Sequence, residues 1–279
     1  MRYGFPISLL LCCLAATVWF SRGSVAAQNA VSMQEARAHA GQYPQPPLIV
    51  TFEERLTKQG VNGVVISRRG RQAYRSDGAF AETSQFHAMD GRYLHTWRQV
   101  RLLPGLEASI RDELGIFSAR RSRVVPPGRD MNRLDPGSEC TVTFQGGRQF
   151  QKLGAETYLG YPAVKVSPVR SGKKMGHELW KIPSLACLEV RRLTTFVDAA
   201  GSPTDWSEWV ATKIEQTEPP PELFAVPASF QQVLPSEELE RYVARLGGKL
   251  QSHDRAAVAK EDEFAKSYPV DAGVLRSRP

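Results

Sequence analysis

From Leu48 onward, apolar and polar positions alternate in short runs rather than recurring every three or four residues. LIVTFEERL and VNGVVISRRG are rich in β-branched residues and are separated by Gly60 and Asn62-Gly63, so they read as strands joined by turns. RRGRQAYRSDGAF and FHAMDGRYLHTW carry Asp77-Gly78 and Asp90-Gly91, dipeptides that accept the positive φ of a tight hairpin turn. RYLHTWRQVRLL alternates in a strand-like manner. Pro104 then opens a predicted helix through LEASIRDELG, ended by Gly115. Pro126-Pro127-Gly128 marks a loop, Cys140 to Phe144 a strand, and Gly146-Gly147 a turn. Four further strand-like runs follow: AETYLGYPAVKVSPVR, MGHELWKIP, CLEVRRLTTFVD and DWSEWVATKIEQ. Gly160, Gly172, Pro183 and Gly201-Ser-Pro203 punctuate them, and no helix long enough for a parallel crossover intervenes. The pattern predicts an antiparallel meander.

The period changes after Pro235. Ser236 sits where an N-cap would, with Glu237 and Glu238 at the positive end of the helix dipole. Leu239, Tyr242, Val243, Leu246 and Leu250 fall on one apolar stripe, which Gly247-Gly248 interrupts at the third turn. QSHDRAAVAKEDEF continues as a polar helical stretch, and the residues after Lys266 read as a disordered tail. Ahead of Leu48, a short helical piece from Met33 to His39 leads into Gly41-Gln-Tyr-Pro-Gln-Pro-Pro47, whose prolines favour extended backbone.

The first 27 residues set the compartment. Arg2, an apolar run from Ile7 to Phe20 and the small residues Ser24 to Ala27 form a signal-peptide pattern cleaved after Ala26 or Ala27. The rival readings are an uncleaved anchor, for which the apolar run is short, and a lipoprotein, for which Cys12 and Cys13 lie too deep in the run. No later segment is apolar enough to span a bilayer. Cleavage removes Arg2 and Arg22 and no acid, so 34 bases face 29 acids and the formal charge falls from +7 to +5. That excess is spread along the chain and excludes a nucleic-acid footprint. Cys140 and Cys187 survive processing and, in an oxidising compartment, form a disulfide; the alternative is a pair of free thiols.

Candidate chemistry is sparse. In HELWKIPSLAC, His177-Glu178 suggests a zinc hydrolase, but Lys181 stands where the second histidine must be and Pro183 would break the helix. The segment reads as a strand, with Glu178, Trp180 and Ile182 on one face and His177, Leu179 and Lys181 on the other. His39, His87, His95, His177 and His253 have no ligand spacing, so no metal or cofactor is expected, and they read as surface or half-buried residues. No nucleophile elbow, P-loop, dinucleotide fingerprint or EF-hand loop occurs, and no catalytic residue is assigned. Asp77 and Asp90 are turn residues rather than a carboxylate dyad. Arg120, Arg121 and Arg123, with Arg129 and Arg133, form the one basic cluster, read as a charged strand edge or as an anion site. Trp97, Trp180, Trp206 and Trp209 fall in strands, as core residues or as the lining of an apolar pocket.

From about Leu48 to Pro235 the chain resembles the lipoprotein-carrier (LolA/LolB-like) superfamily of exported bacterial envelope proteins. The residues that carry the resemblance are VTFEERLTKQG, RQAYRSDGAF, Gly154-Ala-Glu-Thr-Tyr-Leu-Gly160-Tyr161, Glu178-Leu-Trp180 with Cys187, and Pro220-Pro-Glu-Leu-Phe224-Ala-Val-Pro227. The resemblance implies an α+β fold: a strongly curved antiparallel sheet, an open half-barrel, covered by a few helices. To this the chain adds the C-terminal amphipathic helix and the Cys140–Cys187 staple. The expected organisation is a signal peptide (1–27), an arm (28–47), the sheet domain (48–235), a helical extension (236–265) and a tail (266–279). In carriers of this kind the concave cavity receives acyl chains. With the leader, the strand meander and the missing catalytic constellations, this gives the expectation of a periplasmic, non-enzymatic protein that takes a lipid or acyl ligand, with Trp97, Trp180 and Trp206 as the candidate lining. The alternatives are an envelope sensor module that binds a protein partner, and a hydrolase whose residues meet only in space. Partners are then a lipid, a lipoprotein or an envelope protein, with peripheral membrane contact.

Overall fold

A computed structural model of the chain describes residues 46–57, 63–103, 105–120, 134–142, 149–169, 175–198, 201–267 and 269–276. The leader, the helical piece at Met33 to His39 and the basic residues from Arg121 to Arg133 lie outside them, as do Gly146-Gly147 and Gly172. The strands are β1 (Leu48–Leu56), β2 (Val65–Tyr74), β3 (Phe80–His87), β4 (Tyr93–Leu103), β5 (Leu106–Arg111), β6 (Ile116–Arg120), β7 (Phe150–Tyr158), β8 (Tyr161–Pro168), β9 (Met175–Ile182), β10 (Leu188–Val197), β11 (Pro203–Glu215) and β12 (Gln231–Val233). The helices are α1 (Pro235–Arg245), α2 (Ser252–Ser267) and α3 (Ala272–Arg276).

The strands form one open 12-stranded sheet in the order β12-β6-β5-β4-β3-β2-β1-β11-β10-β9-β8-β7. Two antiparallel meanders, β1 to β6 and β7 to β11, meet where β1 pairs with β11, Phe52 lying opposite Ala211. β12 adds to β6 in parallel, the exception to the predicted antiparallel pattern. The Asp-Gly turns form where expected. Asp77 Oδ1 accepts from the Ala79 N–H at 3.0 Å and Asp90 Oδ1 from the Arg92 N–H at 2.9 Å, while Gly78 and Gly91 take φ of 86° and 81°.

Several expectations are corrected. LEASIR is strand β5 rather than a helix, and only Asp112–Leu114 turns helically before Gly115 at φ 61°. Ala108 and Ile110 point one way and Glu107, Ser109 and Arg111 the other, and pairing to β4 and β6 on both sides overrides the modest helical preference of Leu, Glu and Ala. Cys140 opens no strand: Glu139 and Cys140 sit at φ 52° and 61°, and Val142 makes a single bridge to Gln149. Ser236 is not the cap of α1. Pro235 begins the helix after Leu234, and the Ser236 N–H donates to Asp262 Oδ1 of α2 at 2.9 Å. Residues beyond Lys266 do not form a disordered tail throughout, since α3 places Leu275, fully buried, in the core.

The sheet separates two kinds of surface. Ala73, Ala81, Val100, Ala108 and Ala119 make a row across β2 to β6 that we term the outer face. Phe224, Val226 and Leu275 cover it, held by the Val226 N–H to Leu275 carbonyl bond at 3.1 Å. On the opposite, inner face, Phe52, Gly70, Ser84, Trp97 and Arg111 share a row. Gly70 is required there: a Cβ would lie 2.7 Å from Phe52 Cζ. Phe52 thus lies across β2, with the Trp209 ring centroid 5.1 Å away and the Arg68 guanidinium 5.0 Å above its ring. A second core gathers Leu48, Val50 and Phe52 with Ile182, Leu188 and Trp209, and a third surrounds the Cys140–Cys187 disulfide. Among the described residues no helix is long and apolar enough to cross a membrane.

Candidate functional site

The inner face of β2 to β6 is built from side chains that a strand pattern normally sends to solvent. Glu82, only 8 % exposed, accepts from Gln72 Nε2 at 2.9 Å and from Ser84 Oγ at 2.7 Å. Arg68 bridges it to Glu54, with Nη1 3.3 Å from Glu82 and Nε 3.0 Å from Glu54. Glu107, 7 % exposed, accepts from Arg120 Nε at 3.2 Å, from Arg101 Nη2 at 3.3 Å and from Gln99. Burial alone would raise the Glu107 carboxyl, but Arg120 and Arg101 outweigh it and hold the group below the usual carboxylate range. Arg120 reaches on to Glu261 of α2 at 2.8 Å.

The third cluster lies beneath α1. Glu238 is 5 % exposed, and its Oε1 accepts from Arg111 Nε at 2.7 Å and Ser109 Oγ at 2.8 Å. Ser118 Oγ donates to the other carboxylate oxygen. Ser109 is itself steadied by the Trp97 indole N–H at 2.9 Å. One helical turn on, the Tyr242 ring lies 4.3 Å beneath the Arg111 guanidinium, and its hydroxyl is 3.1 Å from the His95 ring. His95 stacks on Phe86 with centroids 4.6 Å apart. Burial, reinforced by Arg111 and Arg245 against the opposing charge of Glu113, lowers His95 to about 4, so the imidazole is neutral. His95 is therefore a core residue, contrary to the surface or half-buried role expected of it.

The charged layer continues onto β10. Burial pushes the Glu189 carboxyl up, but Arg192 and Lys181, each donating at 2.7 Å, overcome this and hold it at about 2. Arg192 is stabilised first by Glu189 and then by Glu54 and Glu82. β10 and β3 stand four strand steps apart in the sheet.

The three tryptophans selected from the sequence do not converge. Trp97 shares the inner face with Phe52, whereas Trp180 and Trp206 share the opposite face through Arg191 and Thr195 of β10. Trp180 is 3 % exposed, with Arg191 and Lys165 over its ring at 4.3 and 4.8 Å. Trp206 lines an open recess of about 620 Å³ with Leu193, Thr195, Pro203, Arg191 and Glu208. His87 and His177 are half-buried strand residues, and His39 lies outside the described residues. What the sequence reading missed is the buried polar set: Glu82, Glu107, Arg111, Ser118 and Glu238. Arg101 stands opposite Glu107 across β4 and β5, a pairing that becomes visible only once LEASIR is known to be a strand.

No family model matches the chain, and no curated protein matches it in sequence. Solved structures do match. The MucA/MucB complex of Pseudomonas aeruginosa is 16 % identical, covering 72 % of this chain and 61 % of that chain, with a TM-score of 0.38. LprF from Mycobacterium bovis is 12 % identical, over 68 % of this chain and 94 % of that one, with a TM-score of 0.31. A putative outer membrane lipoprotein-sorting protein domain from Vibrio parahaemolyticus is 11 % identical, over 65 % and 89 %, with a TM-score of 0.26. The chain spans less than two thirds of the matched chains in the MucB structures, at 60 %, 61 % and 63 %.

Proposed function

We propose that the chain is an exported, non-catalytic binding protein whose partner is a polypeptide presented to the inner face of the sheet. One observation carries this: Glu82 and Glu107, nearly buried and ion-paired, occupy the face on which a lipid carrier would offer hydrocarbon. Laying an acyl chain against paired charges strips their remaining water and returns no hydrogen bond, whereas a peptide exchanges hydrogen bonds with them. Export is supported by the leader-like N-terminus and the Cys140–Cys187 disulfide. The absence of catalysis is supported by the way these titratable groups pair with one another rather than converge on an open point.

A second reading draws on the Trp206 recess, whose Leu193, Pro203 and Trp206 suit a small apolar group at the outer end of β10 and β11. In that reading Trp206 is the ligand contact, and Trp97 and Trp180 serve packing.

The test is to recover the mature chain from the periplasm after in-cell cross-linking and to analyse both its organic extract and its cross-linked peptides by mass spectrometry. The expected result is a cross-linked polypeptide mapped to β2–β6, with no stoichiometric lipid. One acyl lipid per chain would overturn the polypeptide reading, and its loss in Trp206→Ala would favour the recess.

A further inference from the structure

α1 is docked in an unusual manner for an amphipathic helix. The residues of its apolar stripe, Leu239, Val243 and Leu246, stay half-buried, while the two buried side chains are Glu238 and Tyr242. The groups that receive Glu238 all belong to the sheet. Ser109 and Ser118 are direct cross-strand partners, Arg111 follows two residues along β5 on the same face, and Trp97 holds Ser109 from β4. Strand pairing sets their positions without help from α1. Together they make a socket with one guanidinium and two hydroxyls aimed at a single carboxylate, the donor set suited to an acidic side chain. Beside it the Arg111 guanidinium lies against the face of an aromatic ring whose hydroxyl meets the His95 ring.

The helices that fill this socket are tied at their ends, and the two side chains α1 buries most deeply, Glu238 and Tyr242, both carry polar atoms. α1 follows β12 after the single residue Leu234, and α3 returns to the outer face through Leu275. Between those anchors the polar contacts to the sheet include Glu238, Tyr242, the part-buried Arg120–Glu261 pair and Arg241 to Gln231 of β12 at 3.5 Å. Each of these polar contacts can be replaced by an equivalent polar group from another chain.

We propose that the β5–β6 socket is a binding site for an acidic residue of a partner polypeptide that carries an aromatic residue one helical turn further on, and that α1 occupies it in cis as a stand-in. This rests on the reading of the inner face as a polypeptide-binding surface, and names the chemistry it selects. A tethered occupant competes at an effective concentration on the order of millimolar, so the site opens to a partner that binds the sheet more tightly than α1 does.

The test uses the full mature chain carrying both Glu238→Ala and Tyr242→Ala, titrated with a fluorescent synthetic peptide of residues 234–250. The variant should bind the peptide one to one. The unaltered chain should bind it at least tenfold more weakly, and a peptide carrying Glu238→Ala should lose at least tenfold on the variant. A variant that keeps its strand signal and disulfide but binds the peptide no better than the unaltered chain overturns the socket. Should the variant not fold, hydrogen exchange on the unaltered chain decides: α1 amides should exchange faster than those of β5, and equal protection makes α1 part of the sheet's folding unit and ends the proposal. Failure of the peptide titration leaves a cross-linked partner on β2–β6 standing, whereas a stoichiometric lipid removes the parent reading whatever the peptide does.

Discussion

Arg111 Nε lies 2.7 Å from Glu238 Oε1, both side chains under a tenth exposed, in an ion pair that joins β5 to α1 across 127 residues of chain. Truncating either partner leaves the other desolvated or drives α1 off the sheet, so the two losses are not independent. A double-mutant cycle of Arg111→Ala and Glu238→Ala, read as the opening free energy of α1 amides, should give a coupling of about 1–3 kcal/mol. Strict additivity would mean the pair contributes nothing beyond its separate contacts.

Acid should weaken the fold in two windows of the same sign. His95 is neutral when folded, so the unfolded chain takes up its proton first, and stability falls from its ordinary value of 6.5 down to about 4. The full effect is roughly 3 kcal/mol. Half-buried His177, lowered chiefly by burial, adds to the same window. Glu189 contributes stability above 4.5 that is lost as pH falls toward 2. Urea titrations at successive pH should show the upper limb flattened in the double variant His95→Gln, His177→Gln, and the lower one in Glu189→Gln. An upper limb that survives the histidine changes refutes the assignment.

The disulfide joins two copies of one local design. Pro136-Gly-Ser-Glu-Cys140 and Pro183-Ser-Leu-Ala-Cys187 each run through a single 3-10 turn into two left-handed residues. Glu139 and Cys140 take φ of 52° and 61°, Ala186 and Cys187 of 53° and 60°, and the two cysteine Cα atoms stand 5.7 Å apart. Left-handed backbone costs an L-residue about 1 kcal/mol, so Ala186→Gly should raise the melting midpoint or leave it unchanged, despite the added chain entropy. Replacing both cysteines by alanine should cost at most about 4 kcal/mol, from the 47-residue separation of the linked residues.

Gly70→Ala should be among the costliest single methyl additions in the sheet. The new Cβ would meet Phe52 Cζ at 2.7 Å and crowd the Thr83 carbonyl, which is backbone and cannot move aside. A loss of about 1–3 kcal/mol by urea denaturation is expected, accompanied by a change in the near-ultraviolet signal of Trp209 against Phe52. An unchanged midpoint would show that the β2–β3 backbone yields together with Phe52.

Strands with one apolar side were legible from alternation, and the turns from Asp77-Gly78 and Asp90-Gly91. β5 was not, because its inner residues Glu107, Ser109 and Arg111 are polar, and mixing them with Leu, Ala and Ile imitates a helix surface. The same inversion hid the site. A charge in a strand is normally read as solvent-facing, and nothing local reveals that Glu82 and Glu107 meet arginines from neighbouring strands. Glu238 was legible as an acid at a helix start, where the dipole accounts for it, so its second role in the socket left no trace. β12, three residues long and parallel, offers too little pattern to read.

The seam between β1 and β11 bears on how the molecule comes into being. A chain delivered N-terminus first sets out six strands while the second edge of the first of them has nothing to bond to, and Val50 and Phe52 wait in water for a segment about 160 positions behind. During that interval the bare edge is adhesive toward any passing strand. The molecule is therefore most vulnerable before its last third arrives, and a chaperone that shields Leu48–Leu56 would do more for its yield than one acting on the finished sheet.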